Sequence, residues 1–209
     1  MSSEQSPEPS TSDAEPPAPE PPRQRILLLV VVAVLAYAVD LVTKIVATAT
    51  LEGEEPIRIL GGAVYLQLVR NPYAAFGMDF GGTWILAIVA MGVVGAIIWF
   101  ARRLRSPGWA VGLGLVLAGA LGNLTDRIFR APGPLHGHVV DFISAFEPNG
   151  SFFPVFNGAD SAITIGAVLI VVLSLMGRDY DGSTTKSRKE QEKEQEQEQE
   201  QQQAGEDKA

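Results

Sequence analysis

The stretch that decides the fold is residues 26–49, ILLLVVVAVLAYAVDLVTKIVATA. Its first 14 residues carry no charge, and Asp40 and Lys44 follow them. A helix rises about 1.5 Å per residue, so roughly 20 apolar residues cross a hydrocarbon core about 30 Å thick. The stretch is longer than a cleaved signal peptide requires, and further apolar stretches follow it. It therefore predicts a membrane-spanning helix.

Three more apolar stretches complete a predicted four-helix domain over residues 26–176. Each reaches spanning length once a few flanking residues are included. The predicted transmembrane helices cover about 26–48, 84–101, 109–127 and 159–176. Between the first two, residues 57–69 predict short strands around a Gly-Gly turn, which would form a small hairpin outside the membrane. Small residues four apart on the third helix predict close helix packing rather than ligand binding.

The two ends of the chain differ in composition from this domain. Residues 1–25 are rich in Pro and Glu, and residues 177–209 end in a Glu/Gln run. Both are predicted to be disordered because they can bury almost no apolar surface. They hold most of the acidic excess, so the net charge of −8 reveals nothing about partners of the domain. The absence of cysteine excludes a thiol nucleophile, disulfides and Cys-ligated metals.

Arginines predict the orientation of the helices. They precede the first helix, lie between the second and third, and follow the fourth: Arg23, Arg25, Arg102, Arg103, Arg105 and Arg178. Positive charge is enriched on the cytoplasmic side of membrane proteins. Both termini and the 101–108 loop are therefore predicted to be cytoplasmic. The loops at about 49–83 and 127–158 would face outward.

Polar residues within the spans are predicted to meet at one depth. Asp40 and Asn123 each lie 14 residues into an upward-running helix, which places both about 21 Å above the inner end. Asp160 lies 16 residues before the end of the downward-running fourth helix, at about 24 Å. Ionisable groups at such depths are costly and mark functional sites. We therefore expect a site just below the outer surface.

Each polar residue also has a structural interpretation. Asp40 and Lys44 could neutralise each other, Asp126 and Arg127 could form an interfacial ion pair, and Asn157 could cap the fourth helix. Asp141 is harder to explain in this way because it is a lone acid in an apolar run. Two carboxylates in a desolvated place favour a dyad that shares one proton, as in aspartic proteases.

Other functions fit parts of the same pattern. A proton-coupled transporter could use the acids as a relay, although the inner halves of the spans are apolar and we find no internal repeat. A Ser-Lys peptidase could use Lys44 to activate Ser144 or Ser161. A non-enzymatic scaffold could bind partners through the acidic tails. The pair His136 and His138 lacks the further ligands that a metal site needs.

The chain resembles the lipoprotein signal peptidase (signal peptidase II) family of four-helix bacterial membrane aspartyl proteases. The likeness covers most of residues 26–176 and rests on five motifs in colinear order. The motifs are Asp40-Leu-Val-Thr-Lys44, Arg70-Asn71-Pro-Tyr-Ala-Ala-Phe-Gly77, Gly119-Ala-Leu-Gly-Asn123-Leu-Thr-Asp126-Arg127, Val139-Val-Asp141-Phe and Phe156-Asn157-Gly-Ala-Asp160. Predominance of Arg over Lys and richness in Ala, Gly and Val are typical of actinobacterial members.

The resemblance implies an activity and a site. The family removes signal peptides from prolipoproteins by cutting just before a diacylglyceryl-modified cysteine, and it needs no cofactor or metal. Its partners are prolipoproteins and lipids of the bacterial inner or plasma membrane. Globomycin-type cyclic peptides inhibit it, and it has no nucleic-acid partner. The implied catalytic dyad is Asp141 and Asp160. The implied residues that shape the site and hold substrate are Asp40, Lys44, Asn71, Asn123, Arg127 and Asn157, and the outer hairpin would be part of a β-cradle.

One residue departs from the family pattern. The family usually has glycine where this chain has Tyr73, two residues after Asn71. Glycine there would permit a positive φ, which tyrosine resists. The departure therefore predicts either an altered loop beside Asn71 or an added aromatic contact at the interface.

Overall fold

The computed structural model describes residues 25–73 and 82–185 of the chain as four helices and a small sheet. All four helices are long and apolar enough to cross a membrane. The predicted disordered N-terminal segment and residues 74–77 of the Asn71 motif lie outside the described residues. The elements are α1 (Ile26–Leu51), β1 (Ile57–Ile59), β2 (Val64–Asn71), α2 (Thr83–Ala101), α3 (Pro107–Phe129), β3 (Val139–Ala145) and α4 (Gly158–Leu175). The four predicted helices are confirmed to within a few residues at each end.

α1 buries one narrow face and presents apolar side chains on the others. Its buried residues lie three, four or seven positions apart, which places them on one face of the helix: Leu29, Ala33, Asp40, Lys44, Ala47 and Leu51. Its exposed side chains include Leu27, Val34, Leu35 and Val39. A helix with exposed apolar sides and buried charges suits lipid outside and a polar site inside.

α3 lies at the centre of the bundle and contacts each of the other three helices. Its glycines allow this close approach on two faces, because a Cβ at Gly112 would lie 2.8 Å from Ile170 and one at Gly114 would lie 2.9 Å from the carbonyl oxygen of Leu29. The small residues therefore serve helix packing, as predicted. At the end of the bundle with the α2–α3 loop, Leu104 and Ala110 belong to an apolar core that joins α1, α2 and α3.

The three strands form one antiparallel sheet in the order β1-β2-β3. β1 and β2 pair around the 3-10 turn Leu60–Gly62, so the predicted hairpin is confirmed. β3 was not predicted; its apolar run pairs with β2 from Val64↔Ala145 to Asn71↔Val139. This pairing places Asp141 opposite Val69, close to Asn71. Apolar contacts of Ala47 and Leu51 with Val140 and Phe142 hold the sheet on the end of α1.

The chain does not become a free tail directly after α4. Residues 177–185, predicted as the start of the disordered tail, form a turn packed on the α2–α3 loop. The amides of Arg105 and Ser106 donate to the carbonyl oxygen of Tyr180, each at 2.9 Å. The Tyr180 ring packs 4.4 Å from that of Phe100, centroid to centroid. These aromatic contacts and backbone hydrogen bonds offset the conformational entropy that the segment loses when it is ordered. Its polar composition alone would not offset that loss. Residues 186–209 lie outside the described residues.

The tight contact of α3 with α4 is testable by adding one methyl group. A Cβ at Gly119 would overlap the carbonyl oxygen of Ala159, which is backbone and cannot rotate away, whereas a Cβ at Gly95 would meet nothing within 4 Å. We expect Gly119→Ala to destabilise the protein by about 1–3 kcal/mol despite the better helix propensity of alanine. Gly95→Ala is the matched control and should not lower the unfolding temperature in detergent. Equal unfolding temperatures for both variants would contradict the packing described here.

Candidate active site

Lys44 lies at the centre of a buried polar network near the end of the bundle that carries the sheet. Its side chain is 1% exposed. Its Nζ lies 2.9 Å from the Oδ2 of Asp40 and 2.9 Å from the Oδ2 of Asp126, and it donates to the Oδ1 of Asn123 at 3.0 Å. A buried ammonium is tolerated only when it is paired and hydrogen-bonded in this way. The predicted pairing of Asp40 with Lys44 is therefore confirmed.

Asp126 connects this network to the sheet. Besides Lys44 it pairs with Arg130, and its Oδ2 accepts a hydrogen bond from the amide of Val140 at 3.2 Å. The predicted ion pair with Arg127 is wrong, because adjacent helical residues point about 100° apart, whereas residues four apart lie on one face. Asp126 thus has the ion-pairing role we expected, with other partners.

Asp40 connects the network to α4. Its Oδ1 accepts a hydrogen bond from the amide of Ala159 at 2.7 Å. That amide belongs to the first turn of α4, where N–H groups have no partner within the helix. A carboxylate at this end also complements the positive end of the helix dipole. Asp40 is 3% exposed, so it acts within the protein rather than on a bound molecule.

Asp141 is held by two asparagine amides. The Nδ2 of Asn71 donates to its Oδ2 at 2.8 Å, and the Nδ2 of Asn157 donates to its Oδ1 at 2.7 Å. Burial and, to a smaller extent, the nearby charge of Asp160 raise the pKa of Asp141 to about 7, although the two amides and Lys44 lower it in part. A carboxyl group that keeps its proton near neutral pH can serve as a general acid.

Asp160 is oriented by the start of α4 and by α3. Its Oδ2 accepts the amide of Asn157 at 3.1 Å, the side chain of Asn157 accepts the amide of Asp160 at 3.0 Å, and the two bonds form a capping box. The Nδ2 of Asn123 donates to its Oδ1 at 2.8 Å. The predicted cap is confirmed. Asn157 also contacts Asp141, so one residue touches both acids of the predicted dyad.

A cavity of about 870 Å³ opens onto both aspartates. Asn71, Asn123 and Arg127 line its polar end with Asp141 and Asp160. The remaining lining is mostly apolar and comes from the strands, from residues after β3 and from α4: Val69, Tyr73, Val139, Asn149, Gly150, Phe153, Pro154, Val155, Phe156, Ser161, Ile163, Thr164 and Ile165. The cavity therefore offers two carboxylates and hydrogen-bond donors beside a wide apolar surface.

The predicted site residues divide into two groups by their access to this cavity. Asp40, Lys44 and Asn157 do not line it and are buried behind it. Arg127 does line it; its Nη1 donates to the carbonyl oxygen of Asn123 at 3.2 Å, and its buried Nε has no partner among the described residues. Arg127 therefore places a guanidinium at the polar end of the cavity.

The two candidate serine nucleophiles are engaged elsewhere. Ser144 donates to the carbonyl oxygen of Glu147 at 2.6 Å, and Ser161 donates to that of Asn157 at 3.0 Å. The partners of Lys44 are the two carboxylates and Asn123. A lysine held as a cation by two carboxylates is not available as the base that a Ser-Lys mechanism requires.

Tyr73 fits the loop without a special backbone conformation. It is not among the residues with positive φ in the described part of the chain. Its amide donates to the Oδ1 of Asn71 at 2.9 Å, so the Nδ2 of Asn71 points to Asp141. Since the backbone makes this contact, the tyrosine side chain is compatible with it. The residue is 45% exposed and lines the cavity, which is consistent with the interpretation of an added aromatic contact.

Sequence reasoning missed the cavity wall formed by residues 149–156. Asn149-Gly150 is a dipeptide typical of turns and could have predicted the turn found there. No local pattern shows that this turn faces the two aspartates, because that contact depends on how β3 and α4 converge.

Comparison with known proteins agrees with this geometry. The family model of signal peptidase (SPase) II matches residues 32–176. The lipoprotein signal peptidase of Rhodococcus jostii (strain RHA1) is 55% identical over 151 residues, covering 72% of this chain and 74% of that protein. The lipoprotein signal peptidase of Mycobacterium tuberculosis (strain ATCC 25618 / H37Rv) is 52% identical over 149 residues, covering 71% of each. Both organisms are actinobacteria, as the composition indicated.

Two solved structures share the fold. Both are described as bacterial membrane enzyme structures obtained by the in meso method, one at 2.3 Å and one at 1.9 Å resolution. They align with TM-scores of 0.61 and 0.60 at 31% and 32% identity, covering 70% of this chain and 87% and 92% of theirs. The chain therefore belongs to the signal peptidase II family, and it is a membrane-embedded hydrolase of the aspartic protease class.

Proposed function

We propose that this protein removes the signal peptide from prolipoproteins by cutting just before the diacylglyceryl-modified cysteine, with Asp141 and Asp160 as the catalytic pair. The observation that carries the proposal is that both aspartates line one cavity and both are hydrogen-bonded to Asn157. The lipoprotein signal peptidases that the chain is similar to supply the substrate class.

The burial of Asp141 and its closeness to the charge of Asp160 favour different roles for the two aspartates. Asp141, with its raised pKa, keeps a proton and donates it to the carbonyl oxygen of the scissile peptide bond. Ionised Asp160 accepts a proton from water as the water oxygen bonds to the carbonyl carbon. When the tetrahedral intermediate collapses, the proton on Asp160 passes to the departing nitrogen and the carbon–nitrogen bond breaks. Asp141 recovers its proton as the carbonyl re-forms, so the pair returns to its starting state.

The polar neighbours of the dyad orient it and bind the substrate. Asn71 and Asn157 fix the plane of the Asp141 carboxyl, and Asn123 fixes that of Asp160. The guanidinium of Arg127, which lines the cavity, suits a backbone carbonyl of the substrate. Asp40 and Lys44 act behind the cavity by keeping α1, α3 and α4 in register around these side chains.

The cavity suits a substrate that remains in the bilayer. Its apolar lining includes Ile163 and Ile165 on α4, which contribute an apolar wall near the outer end of that helix. A diacylglyceryl group attached to the cysteine could stay among lipid while the peptide bond reaches the aspartates. We infer that both termini and the α2–α3 loop are cytoplasmic and that the sheet forms an extracytoplasmic cradle. Globomycin-type cyclic peptides would compete for the same cavity.

The dyad is testable by replacing each acid with its amide. We expect Asp141→Asn and Asp160→Asn each to lower cleavage of a diacylglyceryl-modified prolipoprotein by at least about a hundredfold, because proton transfer needs both carboxyls. Cleavage is measured by gel shift in detergent, and thermal unfolding of each variant verifies the fold. The exposed Glu54→Gln is the matched control and should cut like the wild type. Near-normal activity in either folded aspartate variant would show that its carboxyl is structural.

The proton on Asp141 gives a pH dependence with a definite sign. Because its pKa is raised to about 7, Asp141 stays protonated below that pH, and we expect kcat/KM to fall as pH rises through it. The amide of Asn71 stabilises the ionised form of Asp141. Asn71→Ala should therefore raise the pKa of Asp141 and move the fall in kcat/KM to higher pH. The pH–rate profiles of wild type and variant measure both effects. If kcat/KM of the variant falls at the same pH as that of the wild type, or at a lower pH, Asp141 is not the group that carries the proton.

The orientation is testable with single cysteines, since the chain has none of its own. Glu54→Cys lies after α1 on the side of the sheet, and Thr184→Cys lies after α4, and both positions are exposed. We expect a membrane-impermeant maleimide to label Glu54→Cys in intact spheroplasts and to label Thr184→Cys only after the membrane is opened. The reverse pattern would invert the proposed topology.

A further inference from the structure

The wall segment, residues 146–156, forms one side of the cavity and contains no residue of the proposed dyad. It starts at the end of β3 and ends at Asn157, the cap of α4. Its cavity-lining residues are Asn149, Gly150, Phe153, Pro154, Val155 and Phe156. Most of these side chains are apolar, so the wall faces a bound substrate mainly with apolar surface.

The turn at the start of the wall segment has an unusual backbone. Phe146, Asn149 and Gly150 have φ values of 63°, 60° and 69°. Such values are unfavourable for phenylalanine and only tolerated by asparagine, so the turn needs contacts that hold it. The far end of the segment is held separately, because Phe156 and Ile143 exchange backbone hydrogen bonds at 2.9 Å in both directions.

Ser144 on β3 supplies two of the contacts that hold the turn. It is fully buried. Its hydroxyl donates to the carbonyl oxygen of Glu147 at 2.6 Å and accepts from the amide of Gly150 at 3.2 Å. One side chain thus closes the turn from both sides.

Gln67 on β2 supplies the third contact. Its Oε1 accepts the amide of Asn149 at 2.9 Å. The residue is 4% exposed, and its Nε2 has no partner among the described residues. An unpaired buried amide is unfavourable, so an apolar side chain would suit this position better if the bond to Asn149 had no role. Gln67 lies within the register shift between Leu66 and Val69, the one irregular place in the pairing of β2 with β3.

We propose that Gln67 and Ser144 are positioning residues that set the shape of the wall segment, and through it the fit of the apolar part of the prolipoprotein substrate. The inference rests on the proposed function, because it concerns the same cavity. Hydrogen bonds from Asn71, Asn123 and Asn157 hold the dyad, and the bonds of Gln67 and Ser144 to the turn involve none of these three residues. Loosening the turn therefore weakens substrate fit and leaves the chemical step intact.

The kinetic test uses Gln67→Met and Ser144→Ala, which remove the contacts with little change in volume. We expect each to raise KM about three- to tenfold with kcat within about twofold of wild type, since one or two hydrogen bonds outside the chemical step are lost. Thr50→Val is the matched control: it removes one hydroxyl hydrogen bond, to the carbonyl oxygen of Val46, on an exposed face of α1, and Thr50 does not line the cavity. It should leave both constants unchanged.

A second measurement does not depend on activity. Hydrogen exchange should quicken at the amide of Asn149 in Gln67→Met and at that of Gly150 in Ser144→Ala, while peptides from α3 keep their wild-type rates. If one variant fails to fold, the other still tests the proposal. Unchanged KM in a folded variant, or a loss confined to kcat, would overturn the positioning role. Failure of the wild type to cleave the prolipoprotein would instead overturn the proposed function.

Discussion

Lys44 is a cation held almost entirely away from solvent inside a bundle whose outer surface is apolar, and its pairing constrains the structure around it. Its partners, Asp40 and Asp126, each reach one further element, through the amide of Ala159 on α4 and the amide of Val140 on β3. Breaking a buried pair leaves an uncompensated charge, which costs about 3–5 kcal/mol. α1, α3, α4 and the sheet are therefore connected at one level, and Asn123 joins that level directly to Asp160.

Such a network forms only where helices approach closely, and the glycines of α3 provide that proximity. Gly122 lies directly against the carboxylate of Asp40 and the methyl of Ala159, where any side chain would overlap both. The same lack of side chains that brings helices together in lipid thus makes room for charged groups between them. Close helix packing and the pairing of buried charges therefore depend on each other at this level of the bundle.

Local patterns predicted the helices, the β1–β2 hairpin and the capping role of Asn157, since each depends on residues near one another in sequence. The depth of the polar residues was also predictable, because it follows from counting along helices of known rise. Pairing of β3 with β2, the bond of Lys44 to Asp126 and the position of the wall segment were missed. Each joins residues far apart in the chain, and their relative placement depends on how three or four elements converge. The mistaken Asp126–Arg127 pair shows that adjacency in sequence does not predict an ion pair on a helix, because adjacent side chains point in different directions.

The catalytic proposal depends on the relative placement of two carboxyls, and Asn157 is the residue that relates them. Its side chain donates to Asp141, while its backbone amide donates to Asp160. Because it is also the cap of α4, its own position is fixed by the start of a helix that Asp40 holds from behind. A capping motif, ordinarily a local stabiliser of one helix, here transmits the geometry of the buried Lys44 network to both acids. The polar network behind the cavity and the carboxyls within it therefore form one continuous hydrogen-bonded structure. This continuity explains why the site needs so many buried polar residues that do not line its cavity.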